Sequence, residues 1–351
     1  MNIGDLNITN LCVGSEQVLS ACIGTEVVWP TGPKPEPVYS AMPLTFEIIS
    51  AGTINWKANN AGNTLSIYYS KDSGSTWTPL TSSTAGTSFN VSAGETVMFR
   101  GDNPSYMATN SGYNTFSGST AKFSACGNIM SLLNSTGFSA VTTISSDYAF
   151  GYLFSNCTGI TSAVHLVLPA TQLSLGCYNN MFYSARNLVE APELPATNLA
   201  TSCYTRMFYS CRGLTSMPEL PATTLSPSCY SSMFYGCTSL VSLNPLNATT
   251  LAAGCYESMF YGCSKITTAP DLIATSWFHA DNCYKNMFQG CSKLSYVKCL
   301  ITGDTTTLSY TENWLKSVSS TGTFVKHPNN TTWLRGDSYV PTNWTIEDAV
   351  L

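Results

Sequence analysis

The sequence predicts an α/β chain built as a stack of small coils, preceded by two β-rich pieces. Three observations carry this. A block of 26 residues recurs from Cys177, beginning again at Cys203, Cys229 and Cys255, and at Cys283 after a two-residue insertion. Short alternating apolar runs fill residues 40–125, and a ten-residue glycine-punctuated pattern fills residues 1–30. A period in the twenties marks units that each lend an apolar face to the next and bury a core only together.

Residues 1–30 align Ile3-Gly4, Val13-Gly14 and Ile23-Gly24, and LCVGSEQV nearly repeats as ACIGTEVV. Short apolar runs broken by glycine read as strands and turns. A piece this small hardly buries a core alone. It is expected to dock on a partner or to trimerise with copies of itself, closed by Trp29; a small β-meander on the next domain is the alternative. Residues 31–39 form a linker whose TGPKPEP stretch is stiffened by proline.

Residues 40–125 carry LTFEIIS, TINWKA, TLSIYYS, TSFNVSA and TVMFRG, separated by Gly, Asn, Asp and Ser turns. This spacing predicts a small β-sandwich. Trp56 and Trp77 are expected in its core or as cross-strand partners. Arg100, Asp102 and Asn103 are expected in a turn network. The stacked repeats are placed at 126–300, with CGNIMSLL (Cys126 to Leu133) capping the first coil and a degenerate unit following. There Phe150 stands for Tyr178 and Leu153-Phe154 for Met181-Phe182. Residues 301–351 form a C-terminal cap, with Trp314, Leu315, Phe324, Trp333, Trp344 and Ile346 hiding the last open face.

Within one unit, CYTRMFYSC spaces Cys203, Met207 and Phe208 as i, i+4 and i+5, which predicts a short helical or 3-10 segment with these residues inward. Gly213 turns the chain. LTSMPEL then supplies a short strand of a parallel sheet, limited by Pro218, and LPATTL closes the coil through Ala222 and Leu225. Met181, Met207, Met233, Met259 and Met287 form one inward row, and their phenylalanine neighbours form another.

Two tyrosine columns are the candidate binding residues. One is Tyr178, Tyr204, Tyr230, Tyr256 and Tyr284. The other is Tyr183, Tyr209, Tyr235 and Tyr261, ending in Gln289. A slim coil already holding Met and Phe cannot bury both deeply. One column is expected to show hydroxyls or ring faces to solvent, able to stack on sugar rings or grip a protein; alternatively each ring merely covers its neighbouring coil. The residues between Tyr and Met vary freely, as in a binding surface or an unconstrained one.

Charged residues make up 10% of the chain, against about 25% in ordinary soluble domains, and the net charge is −5 without a basic run. A nucleic-acid partner is therefore not expected. No apolar stretch reaches the length of a membrane span, so no membrane insertion is expected. The start MNIGDLNITNLC shows no secretory signal pattern; assembly into a particle released by lysis would bring such a chain outside a cell. Cys203 and Cys211 lie too far apart across a helical segment to be bonded, and Ala185 replaces the second cysteine in one unit, so the cysteines read as reduced core residues. No zinc spacing is present, and no cofactor is expected. His165, His279 and His327 stand apart from any nucleophile. Glu193, Glu219 and Asp271 share a repeat position, but Pro245 interrupts the row. The chain reads as non-enzymatic.

The blocks CYTRMFYSCRGLTSMPELPATTL and CYSSMFYGCTSLVSLNPLNATTL resemble the leucine-rich repeats of the BspA-like class, over about residues 148–300. The tail ENWLKSVSSTGTFVKHPNNTTWLRGDSYVPTNWTIEDA is similar to the closing segment of the same proteins. LCVGSEQVLSACIGTEVVWP resembles the module that opens many phage structural proteins. The resemblance implies a right-handed leucine-rich-repeat solenoid and a virion protein of tailed phages infecting gut Bacteroidales, a head or tail fibre or appendage. Other virion proteins would be met through residues 1–30, a host-surface glycan or protein through the solenoid, with a homotrimer as the stoichiometry. A bacterial cell-surface adhesin or glycan-binding protein is the alternative. The resemblance supplies no catalytic residue.

Overall fold

The computed structural model describes residues 2–3, 6–7, 22–23, 26–27, 38–107, 112–277, 280–305 and 308–351. Two compact units divide the chain, Met1–Val38 and Tyr39–Leu351. The first contains two minimal antiparallel ladders. Strand β1 (Asn2–Ile3) pairs with β2 (Leu6–Asn7), and β3 (Cys22–Ile23) pairs with β4 (Glu26–Val27). The second ladder repeats the first at twice the ten-residue period of the sequence. Trp29 and the TGPKPEP stretch lie outside the described residues.

In the second unit, β5 (Leu44–Ser50), β6 (Gly52–Ala58), β7 (Ser66–Ser70), β8 (Thr78–Thr81), β9 (Thr87–Val91), β10 (Thr96–Arg100), β11 (Asn114–Thr115), β12 (Lys122–Asn128) and β13 (Ile160–Val167) form two sheets. One has the order β13-β12-β5-β10-β7-β8 and the other β11-β6-β9. Alternation along β5 and β10 turns Leu44, Phe46, Val97 and Phe99 inward, as a half-buried strand requires. Phe116, just past β11, meets Phe46 at 4.9 Å, Phe99 at 5.1 Å and Trp56 at 4.8 Å, which joins the two sheets through one aromatic core. Trp56 is buried. Trp77 instead lies half-buried under the Arg100 guanidinium, 4.2 Å from the ring centroid. Asp102 accepts hydrogen bonds from the Ser135 N–H and hydroxyl, while Asn103 donates to the Ser66 carbonyl, so this stretch is a satisfied turn network.

CGNIMSLL spans the end of one strand and the buried 3-10 turn that follows it. Its first three residues end β12, which runs antiparallel to β5 on one side and parallel to β13 on the other. The sheet thus crosses the point at 125/126 and passes into the repeats. Ala163 N–H bonds to the Glu190 carbonyl, and parallel bridges recur at Ser162↔Glu190, Ser216↔Ser242 and Thr268↔Tyr296. A final parallel sheet, β14 (Tyr296–Cys299), β15 (Thr323–Lys326) and β16 (Thr345–Asp348), continues the arrangement. Between these ends the repeats make single bridges rather than long strands. Pro192, Pro218 and Pro270 lack the N–H that a longer ladder needs. The only α-helix among the described residues is α1 (Leu308–Thr311). The chain is therefore β-rich, and the α component of the expected class is all but absent.

The CYxxMF segment is not helical, and the reason is in its backbone. Asn180 and Ser184, Arg206 and Ser210, and Ser228 and Ser232 all hold φ between 53° and 56°. A left-handed residue at every fourth position breaks an α-helix, since each costs about 1–2 kcal/mol there for a non-glycine. The hydrogen bonds divide accordingly. Asn179, Met181, Tyr183 and Ala185 donate three residues back, to Gly176, Tyr178, Asn180 and Phe182. The alternate N–H groups of Tyr178, Asn180, Phe182 and Ser184 leave the segment for the carbonyls of Cys203, Thr205, Met207 and Tyr209 in the next repeat, at 2.7–2.9 Å. The segment is a run of linked turns with a period of four, hydrogen-bonded in register to the following run.

A period of four still places Cys203, Met207 and Cys211 in one row and Tyr204 and Phe208 in the next, all buried. Arg206 faces outward with Thr205 half-covered. Phenylalanines of successive repeats stack nearly parallel from Phe154 to Phe288, at centroid spacings of 5.2–5.7 Å. Gly213 has a packing role: a β-carbon there would meet the Leu188 carbonyl oxygen at 2.9 Å. At the far end Trp314, Leu315, Phe324 and Trp344 are buried, and Trp314 stacks on Trp333 at 5.3 Å. No described helix is long and apolar enough to cross a membrane.

Phe208→Ala is expected to lower unfolding free energy by about 3–5 kcal/mol, measured by chemical denaturation. The turn geometry has its own test at Ser232. In a helix alanine outranks glycine by about 1 kcal/mol, whereas at φ of 54° the order reverses; Ser232→Gly is expected to melt above Ser232→Ala.

Candidate contact surface

The linked-turn geometry separates the two tyrosine columns. Tyr178, Tyr204, Tyr230, Tyr256 and Tyr284 precede the Met-Phe pair by three residues and fall on the inward row; each is at most 2% exposed. They stack on one another at 5.5–6.2 Å inside the core. This column is therefore removed from the candidate contact residues, because a period of four, unlike a helical 3.6, keeps positions i and i+4 in strict alignment and turns both inward.

Tyr183, Tyr209, Tyr235 and Tyr261 follow the phenylalanine and stand half-exposed on the outer side of the turns. Their rings stack at 4.8, 4.5 and 4.4 Å, within 11° of parallel. An upstream pair, Tyr113 and Tyr152, stacks in the same manner at 4.3 Å. Because each ring covers the face of the next, the interior members of the column cannot offer faces to a sugar. They present edges and hydroxyls. Burial and the flanking phenols of Tyr209 and Tyr261 push the Tyr235 hydroxyl up to about 12, so this edge remains a protonated donor across the physiological range. Alongside run Asn179, Thr205, Ser231, Glu257 and Lys285, one per repeat. Lys285 is paired with Glu312 at 2.8 Å.

The acidic row separates as its sequence suggested. Glu193 and Glu219 line one open cleft of about 420 Å³ between Pro192, Pro195, Pro218 and Pro221. Asp271 is held elsewhere, by Lys298 at 2.8 Å. His165 stacks on Tyr39 at 4.5 Å, and His327 Nδ1 accepts from the Asn329 N–H; His279 lies outside the described residues. Among the described residues no three His, Cys, Asp or Glu side chains are grouped as a metal site requires.

The cysteines from Cys126 to Cys299 are all buried and unpaired. Sequence reading missed one role for them. The thiols of Cys211, Cys237, Cys263 and Cys291 each donate to the phenylalanine carbonyl of the preceding repeat, Phe182, Phe208, Phe234 and Phe260, at 3.0–3.1 Å. Cysteine at this position is a hydrogen-bond donor between repeats as well as a small apolar residue, a role that alanine at 185 cannot fill. Burial pushes the thiols of Cys203, Cys255 and Cys291 up to about 12, and those of Cys177, Cys229, Cys237, Cys263 and Cys283 well above their ordinary value.

Comparison with protein-family models, with curated proteins and with solved structures finds no match to this chain.

The buried thiols are expected to limit the stability of the fold at alkaline pH. An unfolded thiol releases its proton near 9 while the native Cys203 holds it to about 12, so the native state binds more protons between these values and loses stability as pH rises. The melting midpoint is expected to be flat below about pH 8.5 and to fall steeply above 9, as followed by circular dichroism.

Proposed function

We propose that this chain is a non-enzymatic structural protein of a tailed-phage virion, a head or tail fibre or appendage. Residues 148–300 are read as a right-handed solenoid of leucine-rich repeats of the BspA-like class. The N-terminal module attaches the chain to other virion proteins and associates into a trimer. The strand-rich region that follows acts as a spacer and opens directly into the repeats.

The observation that carries the contact function is the outer tyrosine row. Four half-exposed rings, one per repeat, are locked by mutual stacking. Tyrosines held in this way lose little conformational freedom on binding, and such aromatic side chains are favoured anchors at protein contacts. Since the row shows edges and hydroxyls, a protein or a glycan met there is gripped through hydrogen bonds and edge contacts rather than through ring faces. The sheet shared by the strand-rich region and the repeats supports the spacer reading, because a spacer transmits a contact only if its segments do not hinge freely.

Labelling of this chain in intact particles is expected to place it on a fibre or appendage, and native mass measurement to give three chains. A cell-surface location or a monomer would overturn the reading. Replacing Tyr209 and Tyr235 together by serine is expected to weaken attachment to host cells by at least about 10-fold, a loss of roughly 1.4 kcal/mol. The same exchange at Tyr68, an exposed tyrosine of β7 away from the row, serves as the control.

A further inference from the structure

The inner tyrosine column contains three hydroxyls with no hydrogen-bond partner in the protein: those of Tyr178, Tyr204 and Tyr230, all buried. A buried hydroxyl without a partner costs about 1–3 kcal/mol, and native interiors keep few of them. Here the same orphan recurs in three successive repeats, so it belongs to the design of the unit and not to one misfitted side chain.

The spacing states what could satisfy them. The rings stand 5.5 Å apart from Tyr178 to Tyr204 and 5.8 Å from Tyr204 to Tyr230, each pair within 7° of parallel. Equivalent rings in parallel stacks carry their hydroxyl oxygens at about the same separation. That gap is twice the ~2.7–2.8 Å of a direct O–H···O bond, so neighbouring hydroxyls cannot bond each other. One oxygen placed midway is at bonding distance from both. The thiols of Cys177, Cys203 and Cys229 belong to the adjoining inward row and are close enough to couple electrostatically with these phenols. Thiols are weak donors and acceptors, able to complete the shell of a small polar guest without competing for the hydroxyls. The thiols of the other cysteine row are committed to phenylalanine carbonyls.

We propose that one water molecule is bound between Tyr178 and Tyr204 and another between Tyr204 and Tyr230, forming a hydroxyl–water–hydroxyl file inside the stacked repeats. Each water bridges two repeats as a backbone hydrogen bond does, and the file makes tyrosine, not phenylalanine, the residue this position requires. Phe150, in the degenerate unit upstream, ends it.

The test is the sign of a hydroxyl deletion in the full chain. Tyr204→Phe keeps the ring and removes the central member of the file. It is expected to lower the melting midpoint by about 2–6 °C, since two waters each lose a partner. Tyr178→Phe and Tyr204→Phe combined are expected to lower it by less than the sum of the single effects, because they share one water. Water-proton relaxation dispersion is expected to show long-lived internal water that decreases in Tyr204→Phe. An unchanged or raised midpoint for Tyr204→Phe, strictly additive single effects, or a crystal structure with these hydroxyls bonded to cysteine Sγ and no density between them, would each overturn the proposal.

Discussion

Everything in the repeat region depends on how the backbone of CYxxMFxxC disposes of its amide hydrogens. Half are used three residues back, closing turns, and half are given to the next repeat. A helix would have kept them all within the segment. A strand would have sent them to neighbours on both sides. The mixed solution lets a nine-residue stretch be compact and yet laterally bonded, so each repeat is incomplete without its successor. That incompleteness is why the stack behaves as one body.

Stacking of side chains follows from this ladder. Once the backbones are in register, identical residues must lie over one another, and rows of Tyr, Met, Phe and Cys are the consequence. Such rows are unusually dense in sulfur and aromatic groups, which pack irregular space well. The second cysteine row adds a hydrogen bond to the preceding repeat from each of the four repeats that carry it. The ladder also explains how the strand-rich region and the repeats share a sheet, since β12 and β13 pair in the same parallel sense as the bridges that follow. The outer tyrosines are fixed by the same register.

Much of the layout is legible in the sequence. The 26-residue period, the inward rows of Met, Phe and Cys, the sandwich strands and the closing aromatics are all set by spacing and by the need to hide apolar surface. The exposed row was legible only as one of two tyrosine columns. The helical reading failed at Asn180, Arg206 and Ser232, where i, i+4 spacing fits a helix and a four-residue turn period equally well. The one hint was Gly, Asn or Ser recurring at every fourth position, as at Gly176-Asn180-Ser184 and Gly254-Ser258-Gly262, residues that suit turns, with Gly and Asn also tolerant of positive φ.

The sequence by itself determined that these units repeat and which of their residues must be buried. Local pattern suffices for this because burial depends on residue type and period. The tertiary structure decided that the segments are turns rather than helices, that Tyr183 and its equivalents face out while Tyr178 and its equivalents face in, and that stacked rings expose edges and not faces. These outcomes rest on where alternate amides find their acceptors, 25 to 27 residues further along the chain, and no local pattern specifies a partner that distant.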